Sequence, residues 1–223
     1  MIVVHHLNLS RSQRVLWLLE ELGLPYEVKR YERDPRTLLA PPELRAVHPL
    51  GRSPVITEGD FTLAESGAIL EYLVERAGST LAPAPGTPER ARYLHWLHYA
   101  EGTLMPPMLI KLVFDRIRTA PVPFLVKPVT RKIADQGMDG FVLPQLKRQL
   151  EYIEGELAQR PWFAGAEFSA ADIQMSYPLE AAQARVGLEG RPKIQDFLGR
   201  IQARPAYQRA QAKGGPFGVP SFE

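Results

Sequence analysis

The chain has 223 residues, 45% of them hydrophobic and 23% charged, and its formal net charge is only +2. This length can form one large domain or two small ones with a buried core. Because the lysines and arginines are scattered along the chain, the sequence predicts no nucleic-acid partner. No stretch approaches the roughly 20 apolar residues of a membrane span, and no leader pattern opens the chain. These features predict a cytoplasmic protein that does not bind membranes.

The sequence contains no cysteine. Disulfide bonds, thiolate metal sites and cysteine nucleophiles are therefore excluded. Any thiol chemistry carried out by this chain requires a sulfur atom that a ligand supplies.

The N-terminal residues carry the pattern strand, helix, strand. Residues 1–5 contain a short apolar run typical of a buried strand, and residues 25–31 alternate like a half-buried one. Between them, apolar residues follow helical spacing up to Leu22, and Gly23 ends the helix. A helical crossover between two strands predicts that they pair in parallel.

The segment over 48–76 contains two short strands, at 55–57 and 61–63, followed by a helix that begins near Glu65. Pro54 stands at the head of the first strand, where its missing N–H is harmless and a cis peptide bond is possible. The pattern predicts an exposed backbone edge beside a helix N-terminus. These two features bind a peptide and a carboxylate, respectively.

A linker rich in proline and glycine over 79–87 separates an α/β domain, residues 1–78, from a second domain over 88–223. The strand pattern disappears beyond the linker, so the second domain is predicted to be all-α. Pro106-Pro107 should bend or restart its first long helix. Helices are predicted over 88–118 and 141–160, after the capping pair Ser169 and Asp172, and over 191–203 and 205–212, with an irregular tail from 214.

Ser10 is the first candidate for chemistry, since a hydroxyl between a strand and a helix can donate a hydrogen bond to a bound anion. Its position three residues before Gln13 also fits a capping box, and the motif alone favours that structural role. Glu65 and Ser66 suit an ammonium and a carboxylate, or they only cap the helix. Arg52 suits a carboxylate, or it is a solvated loop arginine.

The histidines show no ligand spacing, and His5 and His6 face opposite sides of a strand, so no metal site is predicted. Aromatic residues at helical spacing, among them Tyr99, are more typical of a core than of a ligand pocket. Met105 and Met108 follow beside the proline break, which keeps the pocket interpretation open.

The order of these features resembles the glutathione transferase family over essentially the whole chain. It comprises the first strand with the helix after Ser10, the strand opened by residues 51–54, the helix start at Glu65 and Ser66, the proline-rich linker, the helical half and the Ser169–Asp172 cap. Residues 10–14 and 99–102 are similar to the bacterial and fungal branch that uses neither a catalytic tyrosine nor a cysteine. The resemblance implies a thioredoxin-like N-terminal domain, an all-α C-terminal domain and a homodimer with each active site near the dimer interface.

The resemblance also implies which residues bind glutathione. Ser53, before a cis-Pro54, would pair its backbone with the cysteinyl part of glutathione. Glu65 and Ser66 would hold the γ-glutamyl ammonium and carboxylate. Arg52 would lie near the glycyl end.

For the chemistry, the resemblance implies that Ser10 stabilises the glutathione thiolate, with Asn8 or Ser12 sharing or replacing this role. The family's early catalytic tyrosine is absent, because His5 and His6 occupy its region. The Ser169–Asp172 pair matches a folding motif of the family and is expected to be structural. The substrate pocket is placed among Tyr99, Met105, Met108 and Phe114.

The implied function is conjugation of the glutathione thiolate to electrophilic, apolar small molecules, as in detoxification, with glutathione as co-substrate and no metal. Two alternatives stay open at this stage. One is a glutathione-dependent isomerase or peroxidase, which would share the thiol site and differ in its substrate pocket. The other is a non-catalytic protein that binds glutathione or another ligand on the same fold.

Overall fold

The structure is a computed structural model, and it describes residues 1–215 and 218. Its N-terminal part is a four-stranded mixed sheet with three helices, in the strand order β2-β1-β3-β4. The elements are β1 (Ile2–Leu7), α1 (Gln13–Leu22), β2 (Tyr26–Tyr31), α2 (Glu43–Val47), β3 (Val55–Glu58), β4 (Phe61–Ala64) and α3 (Ser66–Arg76). Strands β1 and β2 are parallel, as predicted from the helical crossover, and the other neighbours are antiparallel.

The rest of the described chain is helical, and no strand occurs in it, which confirms the all-α second half. Its helices are α4 (Pro88–Tyr99), α5 (Met105–Thr119), α6 (Lys127–Gly137), α7 (Leu143–Gln159), α8 (Ala170–Val186), α9 (Pro192–Gln202) and α10 (Pro205–Gly214). The predicted linker over 79–87 lies between α3 and α4. Of the tail predicted to be irregular, residues 216, 217 and 219–223 lie outside the described residues.

The long helix predicted over 88–118 is interrupted immediately before its two prolines. A π-helical turn, Ala100–Leu104, joins α4 to α5, and the Met105 N–H bonds to the Ala100 carbonyl. Pro106 and Pro107 lack N–H groups, so the carbonyls four residues earlier lose their helical partners. One of them, at Thr103, instead accepts a hydrogen bond of 3.2 Å from Gln149 Nε2.

Helix α6 was not predicted from the sequence, and two of its apolar residues are exposed. Val129 is 57% exposed and Ile133 is 53% exposed. A second π-helical turn, Met138–Val142, follows, so α7 begins at Leu143 and not at residue 141 as predicted. A Cβ atom at Gly137 would lie 2.3 Å from the end of the Phe114 ring, so a larger residue there would have to displace this ring.

The centre of the molecule is α8, in which every residue from 170 to 182 is buried. Its first turn is fixed by Asp172, whose carboxylate accepts hydrogen bonds from the Ser169 N–H at 2.8 Å and from the Phe163 N–H at 2.9 Å. The predicted capping pair is therefore confirmed as structural. Neither α8 nor any other helix in the described part of the chain combines the length and apolarity needed to cross a bilayer.

Candidate active site

Three serine hydroxyls meet where the loop between β1 and α1 contacts the residues just before β3. Ser10 is only 6% exposed, and its Oγ lies 2.7 Å from Ser12 Oγ. The Ser10 hydroxyl also lies 3.4 Å from Ser53 Oγ, although 43 residues separate the two in the sequence. We call Ser10, Ser12 and Ser53 the hydroxyl cluster. The fold thus places the predicted catalytic hydroxyl beside the predicted binding stretch.

The capping box predicted for Ser10 and Gln13 is not formed. Helix α1 begins at Gln13, so Ser12 and not Ser10 occupies the N-cap position. The Gln13 N–H bonds to the main-chain carbonyl of Ser10 at 3.5 Å and not to its hydroxyl. The Ser10 hydroxyl instead accepts a hydrogen bond of 3.3 Å from the N–H of Ser12, so it supports the helix start without forming a capping box.

Ser53 is fixed against β1 by its side chain. Its hydroxyl donates to the His5 carbonyl at 2.8 Å and accepts from the Leu7 N–H at 3.3 Å. The peptide bond between Ser53 and Pro54 is cis, the isomer that the sequence allowed. Arg52 is exposed in the preceding loop, with no side-chain hydrogen bond or ion pair to any residue that the structure describes.

The start of α3 combines an exposed carboxylate with a buried hydroxyl. Glu65 is the N-cap residue and has a φ of 74°, in the region that disfavours side chains. Such strain, which costs of order 1–3 kcal/mol, is concentrated at functional sites. Ser66 is 4% exposed, and no side chain caps the helix. The N–H groups of its first turn therefore point toward the site without a side-chain partner.

Arg14 was missed by the sequence analysis, and it supports this helix start from behind. Its side chain is buried, and Nη2 donates to Ser66 Oγ at 2.9 Å and to the Glu101 carboxylate at 2.5 Å. Nη1 donates at 2.8 Å to the carbonyl of Gln174. That carbonyl is left without a helical partner by Pro178, four residues later. One guanidinium thus links α1, α3, α8 and the turn after α4.

The charges around Arg14 are balanced. Burial alone would raise the pKa of Glu101, but the guanidinium groups of Arg14 and Arg11 hold that pKa below its usual value. Arg11 Nε lies 2.9 Å from the Glu101 carboxylate. Burial lowers the pKa of Arg14 itself, and the charge of Glu101 opposes this effect. One signal was present in the sequence: Arg14 lies one turn before Leu18, on the apolar side of a helix, where a guanidinium requires a partner.

The other two catalytic candidates differ in position. Ser12 is fully buried and reaches the site only through its contact with Ser10. The structure does not bring Asn8 into the hydroxyl cluster. Its Oδ1 accepts a hydrogen bond of 2.9 Å from the Arg33 N–H instead.

The structure places three of the four residues predicted for the substrate pocket in its interior. Tyr99, Met105 and Met108 are 9%, 3% and 0% exposed and belong to the hydrophobic core. Phe114 packs against Gly137 of α6. Sequence spacing does not show which side of α5 meets the core. The exposed side of α5 carries an apolar groove of about 470 Å³, lined by Leu109, Leu112, Val113, Arg116, Ile117 and Ala120.

Family models agree with this architecture. The model of the glutathione S-transferase N-terminal domain matches residues 10–76, and that of the C-terminal domain matches residues 123–205. Glutathione S-transferase 3 of Schizosaccharomyces pombe is 37% identical over 217 residues, which cover 96% of this chain and 88% of that protein.

Solved structures agree as well. A glutathione S-transferase from Actinobacillus pleuropneumoniae superposes with a TM-score of 0.80 at 32% identity, covering 97% of this chain and 94% of that one. A sphingomonad glutathione S-transferase complexed with glutathione gives a TM-score of 0.72 at 26% identity, covering 96% and 100%. The fold is thus a small mixed sheet domain followed by a helical domain, as in glutathione transferases. The chain belongs to the glutathione S-transferase family and is a transferase enzyme.

Proposed function

We propose that this chain activates the thiol of glutathione with the Ser10 hydroxyl and transfers the thiolate to electrophilic, apolar small molecules. The observation that carries the proposal is the 3.4 Å contact between Ser10 and Ser53. It joins the hydroxyl suited to a thiolate with the residue expected to pair with the cysteinyl part of glutathione. The sphingomonad relative complexed with glutathione supports the choice of ligand.

In this proposal glutathione lies along residues 52–66. The γ-glutamyl carboxylate binds the Ser66 hydroxyl and the uncapped N–H groups of α3, while the ammonium binds Glu65. Ser53 pairs through its backbone with the cysteinyl part, next to Pro54, and Arg52 faces the glycyl end. The residues fit the ligand, because a helix N-terminus favours a carboxylate and the buried Arg14 adds positive charge behind Ser66.

The activation step is energetically modest. A free thiol has a pKa of about 8.5, and the thiolate is the nucleophile. Lowering that pKa by about two units requires roughly 2.7 kcal/mol of preferential stabilisation of the thiolate. One hydrogen bond from Ser10 to the charged sulfur contributes about 1.5–3 kcal/mol, and the N-terminus of α1 adds to it.

We propose further that the protein is a cytoplasmic homodimer that acts in detoxification. Exposed apolar residues support an assembly: Phe61 on the edge strand β4 is 44% exposed, and Leu94 on α4 is 37% exposed. Light scattering coupled to gel filtration should give twice the chain mass. A monomer at micromolar concentration would contradict the dimer.

Retention on immobilised glutathione, followed by turnover of a chlorinated nitroaromatic, tests the function. We expect retention and a conjugate that requires both substrates. Retention without turnover of any electrophile would favour a non-catalytic binding protein, and turnover confined to peroxides or isomerisable substrates would favour the other alternative. Absence of retention and of S-methylglutathione binding would overturn the glutathione assignment.

A further inference from the structure

The hydroxyl cluster continues inward to a buried histidine. Ser12 Oγ lies 2.8 Å from His6 Nδ1, and His6 Nε2 lies 2.8 Å from the main-chain carbonyl of Gly214 on α10. With the 2.7 Å contact between Ser10 and Ser12, these bonds form a chain from the site to the interior. Ser12 and His6 are 0% and 2% exposed, so water does not interrupt it.

The chemistry of the atoms sets the direction of this chain. The Gly214 carbonyl only accepts, so His6 Nε2 carries a proton and, in the neutral imidazole, Nδ1 is the acceptor. The Ser12 hydroxyl therefore donates to His6 Nδ1. The Ser10 hydroxyl has two possible acceptors, and it donates to Ser12 Oγ at 2.7 Å in preference to Ser53 Oγ at 3.4 Å. In this state the single proton of Ser10 is turned toward the interior and away from a ligand sulfur.

We propose that His6 is the terminal acceptor of the glutathione thiol proton, which reaches it through Ser10 and Ser12. This inference rests on the proposed function. In the step, the S–H bond breaks and its proton bonds to Ser10 Oγ. The Ser10 proton moves to Ser12 Oγ, and the Ser12 proton moves to His6 Nδ1. The products are a thiolate and an imidazolium, and no proton leaves the protein.

The relay explains both how the thiol loses its proton and how the resulting thiolate is stabilised. Before the step, the hydroxyl protons run toward His6, so the chain accepts a proton at the sulfur end. After it, every hydroxyl is reversed, and the Ser10 O–H donates to the thiolate that it has just formed. A serine hydroxyl alone, with its proton committed to Ser12, would do neither.

The surroundings of His6 favour its neutral imidazole before the step. Burial lowers the pKa of His6, the hydrogen bond to the Gly214 carbonyl opposes this effect, and the charges of Arg30 on β2 and of Glu32 just after it act in opposite directions. Burial thus opposes transfer of the proton to His6, and the negative charge of the thiolate formed in the same step favours it. His5 provides a natural comparison, because its ring faces the other way and bonds to Tyr31 and Thr57 at 2.9 and 3.1 Å.

The first test uses the unaltered protein. Imidazole ¹⁵N spectra at pH 7 should show His6 Nδ1 gaining a proton when glutathione binds, and not when S-methylglutathione binds. Calorimetry in two buffers of different ionisation enthalpy should show almost no proton released per thiolate formed. A thiolate beside a neutral His6, with about one proton released, would overturn the relay and leave the proposed function standing. Failure of both ligands to bind would overturn the proposed function itself.

The second test removes the connection. Ser12→Ala and His6→Gln should each raise the apparent pKa of the bound thiol by about 1 unit toward its free value, a tenfold loss of thiolate at neutral pH. The affinity for S-methylglutathione should stay within about twofold, and His5→Gln should leave the thiol pKa unchanged. Because His6→Gln removes a buried contact to α10, Ser12→Ala is the decisive variant. An unchanged thiol pKa in Ser12→Ala would overturn the relay.

Discussion

The two sides of the site are built in different ways. The hydroxyl cluster carries no formal charge and lies within the N-terminal domain. The other side, which we call the guanidinium side, consists of Arg14, Ser66 and Glu101, contains a partly buried ion pair and links helices of both halves of the chain.

This difference in charge separates the residues proposed for catalysis from the residues that stabilise the fold. A neutral hydrogen bond contributes about 0.5–1.5 kcal/mol net, and a buried neutral partner left unpaired costs about 1–3 kcal/mol, so removing a hydroxyl should cost less than breaking the ion pair. Removing one partner of a buried ion pair costs about 3–5 kcal/mol, because the remaining charge stays buried. Substitutions in the hydroxyl cluster should therefore alter mainly the pKa of the bound thiol. Substitutions on the guanidinium side should lower both the free energy of unfolding and the affinity for glutathione.

The largest effect is expected for Arg14→Met. It leaves Ser66 and the Gln174 carbonyl without their donor and leaves Glu101 paired with Arg11 alone, so the free energy of unfolding should fall by about 3 kcal/mol. Urea unfolding measures it. The control is Arg209→Met, which removes a 54% exposed side chain paired with Glu20 and should cost at most about 1 kcal/mol. An equal loss of unfolding free energy in the two variants would contradict a special structural role for the guanidinium side.

Ser10→Ala tests the hydroxyl cluster. The bound thiol should lose about 1.5–3 kcal/mol of preferential stabilisation, so its pKa should rise by about 1–2 units and kcat/KM near neutral pH should fall accordingly. Ultraviolet titration of the thiolate measures the pKa. Because Ser10→Ala also removes the acceptor of the buried Ser12 N–H, the free energy of unfolding should fall by about 1 kcal/mol. A loss of stability with an unchanged thiol pKa would show that Ser10 is only structural.

Glu180→Gln tests how a buried carboxyl group on α8 makes the stability of the protein depend on pH. Burial raises the pKa of Glu180 to about 7, against hydrogen bonds from Tyr207 and Gln202 and the charge of Arg14, which lower it. The folded state therefore binds this proton more tightly than the unfolded chain. Stability from this group is present below about pH 4.5 and is lost as the pH rises to about 7.

Removing that charge should raise the free energy of unfolding at pH 8 by about 1–2 kcal/mol and flatten its decline above pH 4.5. Unfolding curves at a series of pH values measure the change. Asp172, whose pKa burial raises to about 6, should preserve part of the decline in the variant. An identical pH profile in the two proteins would contradict the expectation.

The smallest effect is expected for Glu65→Gly. Glycine adopts the φ of 74° without steric cost, so stability should rise by about 0.5–1 kcal/mol. Affinity for glutathione should fall, since the carboxylate expected to bind the ammonium is gone. Glu65→Gln is the control that keeps the strain and removes the charge. Tighter binding in Glu65→Gly would place the ammonium elsewhere.

Much of the fold was predictable because it is encoded locally. Three predicted features each depend on residues within a few positions of one another. They are the helical spacing before Gly23, the interruption at Pro106-Pro107 and the Ser169–Asp172 cap. Helix α6 was not predicted, and its apolar residues Val129 and Ile133 face solvent. Met105 and Met108 point to the core, and the spacing of residues along α5 does not show which of its sides is buried.

The sequence by itself determined the fold class and a backbone edge beside a helix N-terminus, and the family resemblance implied that this stretch binds glutathione. Periodicity, turn residues and the absence of cysteine are properties of short segments or of composition, and they need no packing to be read. Only the tertiary structure decided which polar groups meet. Arg14 and Glu101 are 87 residues apart, and His6 and Gly214 are 208 apart. Such pairs form because α1 packs against α3, α8 and α10, and buried polar groups on these surfaces must then bond to each other.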